Sequence, residues 1–138
     1  MGVAHELAPR ESGLFLQALE QSAFRNAQAS FHQYRVQDSL AAERLLAKSF
    51  EMAAHLGWGS WTISPVRQAS CEVEVRNSPF AAGFGQSSIP VCSPIKGVLK
   101  AMMFVAYGAS VEVREVTCAA QGGPICRFTL AGLGTSDP

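Results

Sequence analysis

The hydrophobic period of this 138-residue chain changes near Gly57, and this change restricts the fold more than any other feature. Before Gly57, apolar residues recur at helical spacing, whereas after it they alternate with polar residues, as on a half-buried strand. The clearest alternation runs from Cys71 to Arg76, where three apolar residues point one way and three charged residues the other. Such a strand belongs to an antiparallel sheet with one face on the core. The chain is therefore predicted to be an α+β protein.

The remaining segments complete a simple order of elements. Two helices precede the first strands, a third helix follows them and a hairpin comes last, which is typical of an antiparallel sheet packed against helices. We expect one ligand-binding domain over residues 12–131, a flexible leader over 1–11 and a flexible tail over 132–138. Ser12 can cap the first helix and Asp38 or Ser39 the second, whereas residues 28–37 are ambiguous. The predicted elements are helices from Leu14, over about 38–56 and over about 94–107, strands over 58–66, 71–76, 109–117 and 125–130, and a long loop over 77–90.

The composition excludes several classes of protein. Hydrophobic residues make up 48% of the chain and charged residues 16%, which excludes a disordered chain. Lysine and arginine together number 11, as do the acidic residues, so no basic surplus indicates binding to nucleic acid. The most apolar run, 97–107, is too short to span a membrane, and the first residues do not form a signal peptide. We expect a cytoplasmic protein with reduced cysteines, and apolar surface that a ligand or a second copy in a homodimer covers.

The last two strands place a carboxylate and two thiols on one face. Strict alternation along 111–115 turns Glu115 inward, and the apolar phase then slips by one residue, which indicates a β-bulge near 115–116. Cys118 and Cys126 are equally distant from the centre of the turn and should lie opposite each other. An unpaired buried carboxylate costs several kcal/mol. A metal ion bound by these three residues would remove that cost.

Zinc suits such ligands, because it binds thiolates and carboxylates in a tetrahedron. Cys92, which stands between Pro90 and Pro94 just before the buried helix, is the candidate fourth ligand. Four protein ligands close the coordination shell, so we expect a structural rather than a catalytic site. The alternatives are a Cys118–Cys126 disulfide beside free core thiols, or four unrelated buried cysteines.

The same residues resemble those of a known family. The segments Pro90-Val91-Cys92, Glu115-x-x-Cys118 and Cys126-Arg127-Phe128, with the lead-in Asn77-Ser78-Pro79-Phe80-Ala81-x-Gly83-x-Gly85, are similar to the 4-vinyl reductase domain family. The resemblance extends from about Trp58 to Leu130. It implies the fold that this family shares with subunits of the Golgi vesicle-tethering particle. It also implies the zinc ligands found in aromatic-sensing members, here Cys92, Glu115, Cys118 and Cys126.

The resemblance further implies a hydrophobic or aromatic ligand between the helices and the inner face of the sheet. The family includes the sensory domains of phenol- and toluene-responsive transcription activators. Cys71 stands where those sensors have an aromatic residue, which argues against a phenol-type pocket. Lys96 begins an otherwise apolar helix, and it either meets a polar ligand group or is a solvated residue of the first turn. The candidate ligand contacts are Trp61, Cys71, Phe80, Phe84, Lys96 and Val113.

Three functions remain open on this basis. The first is a stand-alone sensor domain that binds a small hydrophobic molecule, contains a structural zinc and acts on a separate signalling partner. The second is an accessory factor or reductase in tetrapyrrole metabolism, which the family name implies although the sequence has no catalytic motif or cofactor fingerprint. The third is a ligand-free dimeric scaffold. We favour the first.

Overall fold

The structure is a computed structural model, and it describes residues 9–38, 41–87 and 89–133. These residues form helices packed against one antiparallel sheet, which confirms the predicted fold class. Most of the expected leader and tail, residues 1–8 and 134–138, lies outside the described residues, so the domain boundaries remain predictions. The elements are α1 (Pro9–Asp38), α2 (Ala42–His55), β1 (Ser60–Ile63), β2 (Ser70–Arg76), α3 (Pro79–Phe84), α4 (Ser93–Tyr107), β3 (Glu112–Thr117) and β4 (Cys126–Ala131).

The sheet follows the alternation of the sequence. Its strand order is β1-β2-β4-β3, and every neighbouring pair is antiparallel. The register of β3 against β4 shifts after Glu115, because Glu115 pairs with Phe128 whereas Thr117 pairs with Arg127. The predicted bulge is therefore confirmed. Its extra residue, Val116, points outward and is 52% exposed.

Helix α4 forms the centre of the core. It ends at Gly108, whose left-handed conformation (φ 68°) is the one predicted for the residue after the helix. Most of its side chains are buried, because α1 packs along it and residues of the sheet join it in one hydrophobic core. The exposed or half-exposed positions recur at helical spacing, which leaves one narrow stripe facing solvent: Lys96, Lys100, Phe104 and Tyr107.

Helices α1 and α4 touch closely at Gly97. A Cβ atom at this position would meet the backbone of Glu20 and would come within 2.9 Å of the backbone nitrogen of Phe24. Glu20 also forms ion pairs with Lys96 and Lys100, which lie one on each side of Gly97 along α4. A residue without a side chain and a carboxylate between two ammonium groups thus fix the contact of these two helices.

Several predicted elements need correction. Helix α1 begins at Pro9 rather than near Leu14 and continues through the ambiguous residues 28–37, because its packing on α4 supports a helix that the local polarity does not indicate. The cap of α2 is Ala41, without a side-chain hydrogen bond; Asp38 is the last residue of α1, and Ser39 lies outside the described residues. The predicted loop 77–90 contains α3, which Ser78 caps by accepting a hydrogen bond from the amide of Ala81.

None of the helices in the described residues is both long and apolar enough to cross a membrane.

Candidate metal centre

Four side chains from three separate segments meet at one end of the sheet. Cys92 is the N-cap residue of α4, Glu115 lies at the bulge of β3, Cys118 follows β3 and Cys126 begins β4. One ligand atom from each residue lies within 4.8 Å of all the others. The cysteines are at most 1% exposed. The structure therefore brings together all four metal ligands that the sequence predicts.

Hydrogen bonds hold these side chains in their present arrangement. The backbone amide of Cys92 donates to Oε1 of Glu115 at 3.0 Å, and the amide of Ala119 donates to Sγ of Cys126 at 3.5 Å. The sulfur atoms of Cys92 and Cys126 are 3.5 Å apart, well beyond the ~2.05 Å of a disulfide bond. All four cysteines of the chain are free thiols, so the disulfide alternative does not describe this structure.

The second carboxylate oxygen of Glu115 shows whether the cluster suits a metal. Oε2 is buried and has no hydrogen-bond partner among the described residues, which is costly for a carboxylate. Burial is the main cause that raises the pKa of Glu115 to about 8, and the neighbouring Cys118 thiol raises it further. A bound cation would give Oε2 a partner and would reverse the unfavourable burial of this charge.

The thiols are also electrostatically coupled. Hydrogen bonds to Cys118 and Cys126, together with burial, raise the pKa of Cys92. Hydrogen bonds from Cys118 and Cys92 lower the pKa of Cys126 well below that of an ordinary thiol, despite its burial. One thiolate is therefore stabilised in the cluster by the other two thiols. Three sulfurs and one carboxylate oxygen form a donor set that fits a closed tetrahedral zinc site.

The six predicted ligand contacts lie in different places. Cys71 and Val113 are buried on the sheet, where each is paired with Leu130 from opposite sides. Trp61 is buried and donates an indole hydrogen bond of 2.9 Å to the carbonyl of Trp58. Lys96 forms an ion pair of 3.3 Å with Glu20 instead of facing an open site. Phe80 and Phe84 are partly buried and pack against the core.

A cavity of about 290 Å³ lies between α1, α2 and α4. Its walls are mostly apolar, and Leu56 at its rim is 68% exposed, so the cavity opens to solvent. None of the six predicted contacts lines it. Its lining residues are Ala23, Asn26, Ala27, Ser30, Phe31, Ser49, Met52, Ala53, Leu56, Trp58, Val98 and Met102.

The sequence contains one signal for this cavity that the interpretation above does not use. Ala23, Ala27 and Ser30 recur at helical spacing on α1, and small side chains along one face of a helix leave space against its neighbour. Trp58 was expected to be ordinary core, yet it forms part of the wall. A second cavity of about 310 Å³ has a charged lining that includes Glu20, Arg25 and Lys100.

Three solved structures resemble this fold. The phenol-responsive sensory domain of the transcription activator PoxR, with phenol, is 21% identical with a TM-score of 0.66, over 91% of this chain and 66% of that chain. A vinyl-4-reductase family protein from Methanocaldococcus jannaschii is 14% identical with a TM-score of 0.67, over 92% and 82%. Trafficking protein particle complex subunit 3 from Naegleria fowleri, covalently bound to palmitic acid, is 9% identical with a TM-score of 0.56, over 87% and 81%. The chain thus spans just under two thirds of the sensory-domain chain.

These identities show a shared fold. No curated protein matches the sequence significantly. The family model of the 4-vinyl reductase domain matches residues 71–131, a segment that runs from β2 to β4 and contains all four residues of the cluster. The resemblance to the 4-vinyl reductase family is therefore confirmed, and residues 71–131 of this chain are a 4-vinyl reductase domain.

Proposed function

We propose that this protein is a sensor domain that binds a small apolar molecule in the cavity between α1, α2 and α4. The observation that carries the proposal is the cavity itself, which has mainly apolar walls, a few polar groups and an opening to solvent. Ligand sites are typically built in this way. The amide of Asn26 and the hydroxyl of Ser30, both on α1, can orient a polar substituent of the ligand.

The size of the cavity favours a small ligand. Its volume of about 290 Å³ is at the low end of the ~300–1,000 Å³ typical of ligand pockets. A single substituted ring suits this volume better than a tetrapyrrole, which supports the sensor function over the reductase alternative. The similarity to a sensory domain that binds phenol also supports the proposal.

The cluster of Cys92, Glu115, Cys118 and Cys126 is proposed to hold a structural zinc. Zinc would supply positive charge and a closed shell, without an open position for a reacting water. These ligands join β3, β4 and the start of α4, so their role is to fix the C-terminal hairpin against the buried helix. The chemistry of the site thus supports stabilisation of the domain rather than catalysis.

The proposed signal is a change in the helices that form the cavity. A ligand that binds only the closed arrangement of α1, α2 and α4 shifts the population toward it. The proposed recipient is a separate signalling partner, and the proposed state is a homodimer. Phe104 and Tyr107, both about 40% exposed on α4, supply apolar surface for such a contact.

Binding of a panel of phenols and short hydrocarbons tests the proposal, with calorimetry as the measurement. Ala53→Leu places a larger side chain in the cavity and should abolish binding, because Ala53 is buried in its wall. The matched control is Ala54→Leu, since Ala54 is the exposed neighbour on the same helix. We expect the wild type and Ala54→Leu to bind the same compound and Ala53→Leu to lose it. Equal binding by all three proteins would place the ligand elsewhere.

A further inference from the structure

Ser78 connects two parts of the structure that are otherwise separate. Its residue is 4% exposed, and its hydroxyl oxygen accepts a hydrogen bond of 3.3 Å from the backbone amide of Ala81. The same oxygen lies 3.2 Å from Sγ of Cys92. Ser78 is thus both the cap of α3 and a neighbour of one of the four candidate metal ligands.

The direction of the second hydrogen bond follows from the chemistry of the partner. A cysteine that binds a metal does so as a thiolate, which carries no proton to donate. The hydroxyl of Ser78 must therefore donate to Sγ of Cys92 whenever that thiolate is bound, while it still accepts from Ala81. Such outer partners orient metal ligands and tune their basicity.

Helix α3 is also held at its other end by the segment between two candidate ligands. The amide of Ser87, which follows α3, donates a hydrogen bond of 2.8 Å to the carbonyl of Ala120. Ala120 lies in the single 3₁₀ turn Ala119–Gln121, which separates Cys118 from Cys126. Both ends of α3 are therefore tied to the elements that present the cluster.

The middle of α3 meets the wall of the cavity. The ring of Phe80 packs edge-on against the ring of Trp58, with 4.9 Å between their centroids. Trp58 lines the cavity between α1, α2 and α4. Any displacement of α3 must therefore move Phe80 relative to the cavity wall, since packed interiors leave little free space.

We propose that Ser78 is a positioning residue that couples the metal centre to the ligand cavity. Its hydroxyl holds the Cys92 thiolate in place for the metal and holds the start of α3, so that metal binding fixes the Phe80–Trp58 contact. This inference rests on the proposed zinc site and cavity. It assigns to α3 the role of a link between them.

Zinc affinity, measured by competition with a chromophoric chelator, tests the first half of the inference. Ser78→Gly removes the hydroxyl but preserves most of the helix cap, because glycine is nearly as good a cap as serine. We expect zinc to bind about 10-fold more weakly, as is typical when an outer partner of a ligand is lost. Ser78→Thr retains a hydroxyl and should restore the affinity. The matched control is Ser64→Gly, because Ser64 is an exposed serine that accepts a hydrogen bond from the amide of Glu72.

Fluorine NMR tests the coupling itself. The chain has two tryptophans, so labelling with 5-fluorotryptophan gives two signals, one from Trp58 and one from Trp61. Zinc should shift the Trp58 signal in the wild type and in Ser78→Thr, and should shift it less in Ser78→Gly. Trp61 packs against Phe50 and serves as the internal reference.

The outcomes separate this inference from the proposed function. Wild-type protein that binds no zinc would overturn the proposed metal centre and the coupling with it. Zinc that binds equally well to the wild type and Ser78→Gly, with equal shifts of Trp58, would overturn only the role of Ser78. A weaker affinity together with a smaller Trp58 shift in Ser78→Gly is the result that the inference predicts.

Discussion

The side chain of Glu115 accepts a hydrogen bond of 3.0 Å from the backbone amide of Cys92, 23 residues earlier in the chain. This contact joins the bulge of β3 to the start of α4. It satisfies one carboxylate oxygen, while the other is buried without a partner among the described residues. The pair thus places a buried negative charge beside three thiols, which is the arrangement that a divalent cation would stabilise.

Loss of a ligand should destabilise the protein only when zinc is present. We expect Cys118→Ala to lower the free energy of unfolding by about 2.7 kcal/mol more than Cys71→Ala, at a zinc concentration 100 times the dissociation constant. Cys71 is the matched control, since it is buried but lies outside the cluster. Urea unfolding with zinc and with a chelator measures both. The two variants should differ little in the chelator, and a large difference there would contradict a metal role for Cys118.

Without metal, the stability should fall as the pH rises. Burial raises the pKa of Glu115 from 4.5 to about 8, so the folded state retains a proton that the unfolded state releases. This contribution is fully present below pH 4.5 and is lost as the pH rises through about 8, by at most ~1.4 kcal/mol per pH unit. Urea unfolding of chelated protein between pH 5 and 8 measures it, with Glu115→Gln as the control that removes the titrating group. An identical pH slope in the two proteins would refute this prediction.

A methyl group at Gly97 should separate α1 from α4. A Cβ atom there would come within 2.9 Å of the backbone nitrogen of Phe24, and backbone cannot move aside cheaply. We expect Gly97→Ala to cost ~1–3 kcal/mol, as is usual for overpacking. Gly13→Ala is the control, because a Cβ atom at Gly13 meets nothing within 4 Å. That variant should gain up to ~1 kcal/mol of helix propensity, and equal effects at both positions would contradict the close contact.

The turn between β1 and β2 should become more stable with glycine at position 69. Gln68 and Ala69 both have positive φ angles, 51° and 62°, in a turn closed by hydrogen bonds between Arg67 and Ser70. This is the geometry of a type I′ turn, in which alanine is strained and glycine is not. We expect Ala69→Gly to stabilise the protein by ~0.5–1 kcal/mol in thermal unfolding. Ala82→Gly in α3 should have the opposite sign, and a loss of stability in both would show that no strain is relieved.

The metal centre was predictable because each ligand follows from a strong local pattern. Period-two alternation fixed the faces of β3 and β4, and the slip of that pattern near Glu115 revealed the bulge. Pro94 marked the start of α4 and Gly108 its end, as the structure confirms. These signals are local in sequence, so they survive without any knowledge of the tertiary structure.

The helical side of the molecule was harder to predict because its signals are not local. Residues 28–37 are polar, and their helical state follows from the packing of α1 on α4 at Gly97. Helix α3 is too short for a clear period, and its cap at Ser78 was hidden in a segment with the composition of a loop. The cavity depends on how three helices meet, which explains why none of the predicted contacts lines it.

X-ray absorption at the zinc edge tests the central claim most directly. Protein loaded with zinc and freed of excess metal should contain one zinc per chain. The account predicts three sulfur neighbours at ~2.3 Å and one oxygen neighbour at ~2.0–2.2 Å, with the oxygen lost or replaced in Glu115→Ala. Protein that retains no zinc, or a zinc surrounded only by oxygen and nitrogen, would contradict a site made of Cys92, Glu115, Cys118 and Cys126.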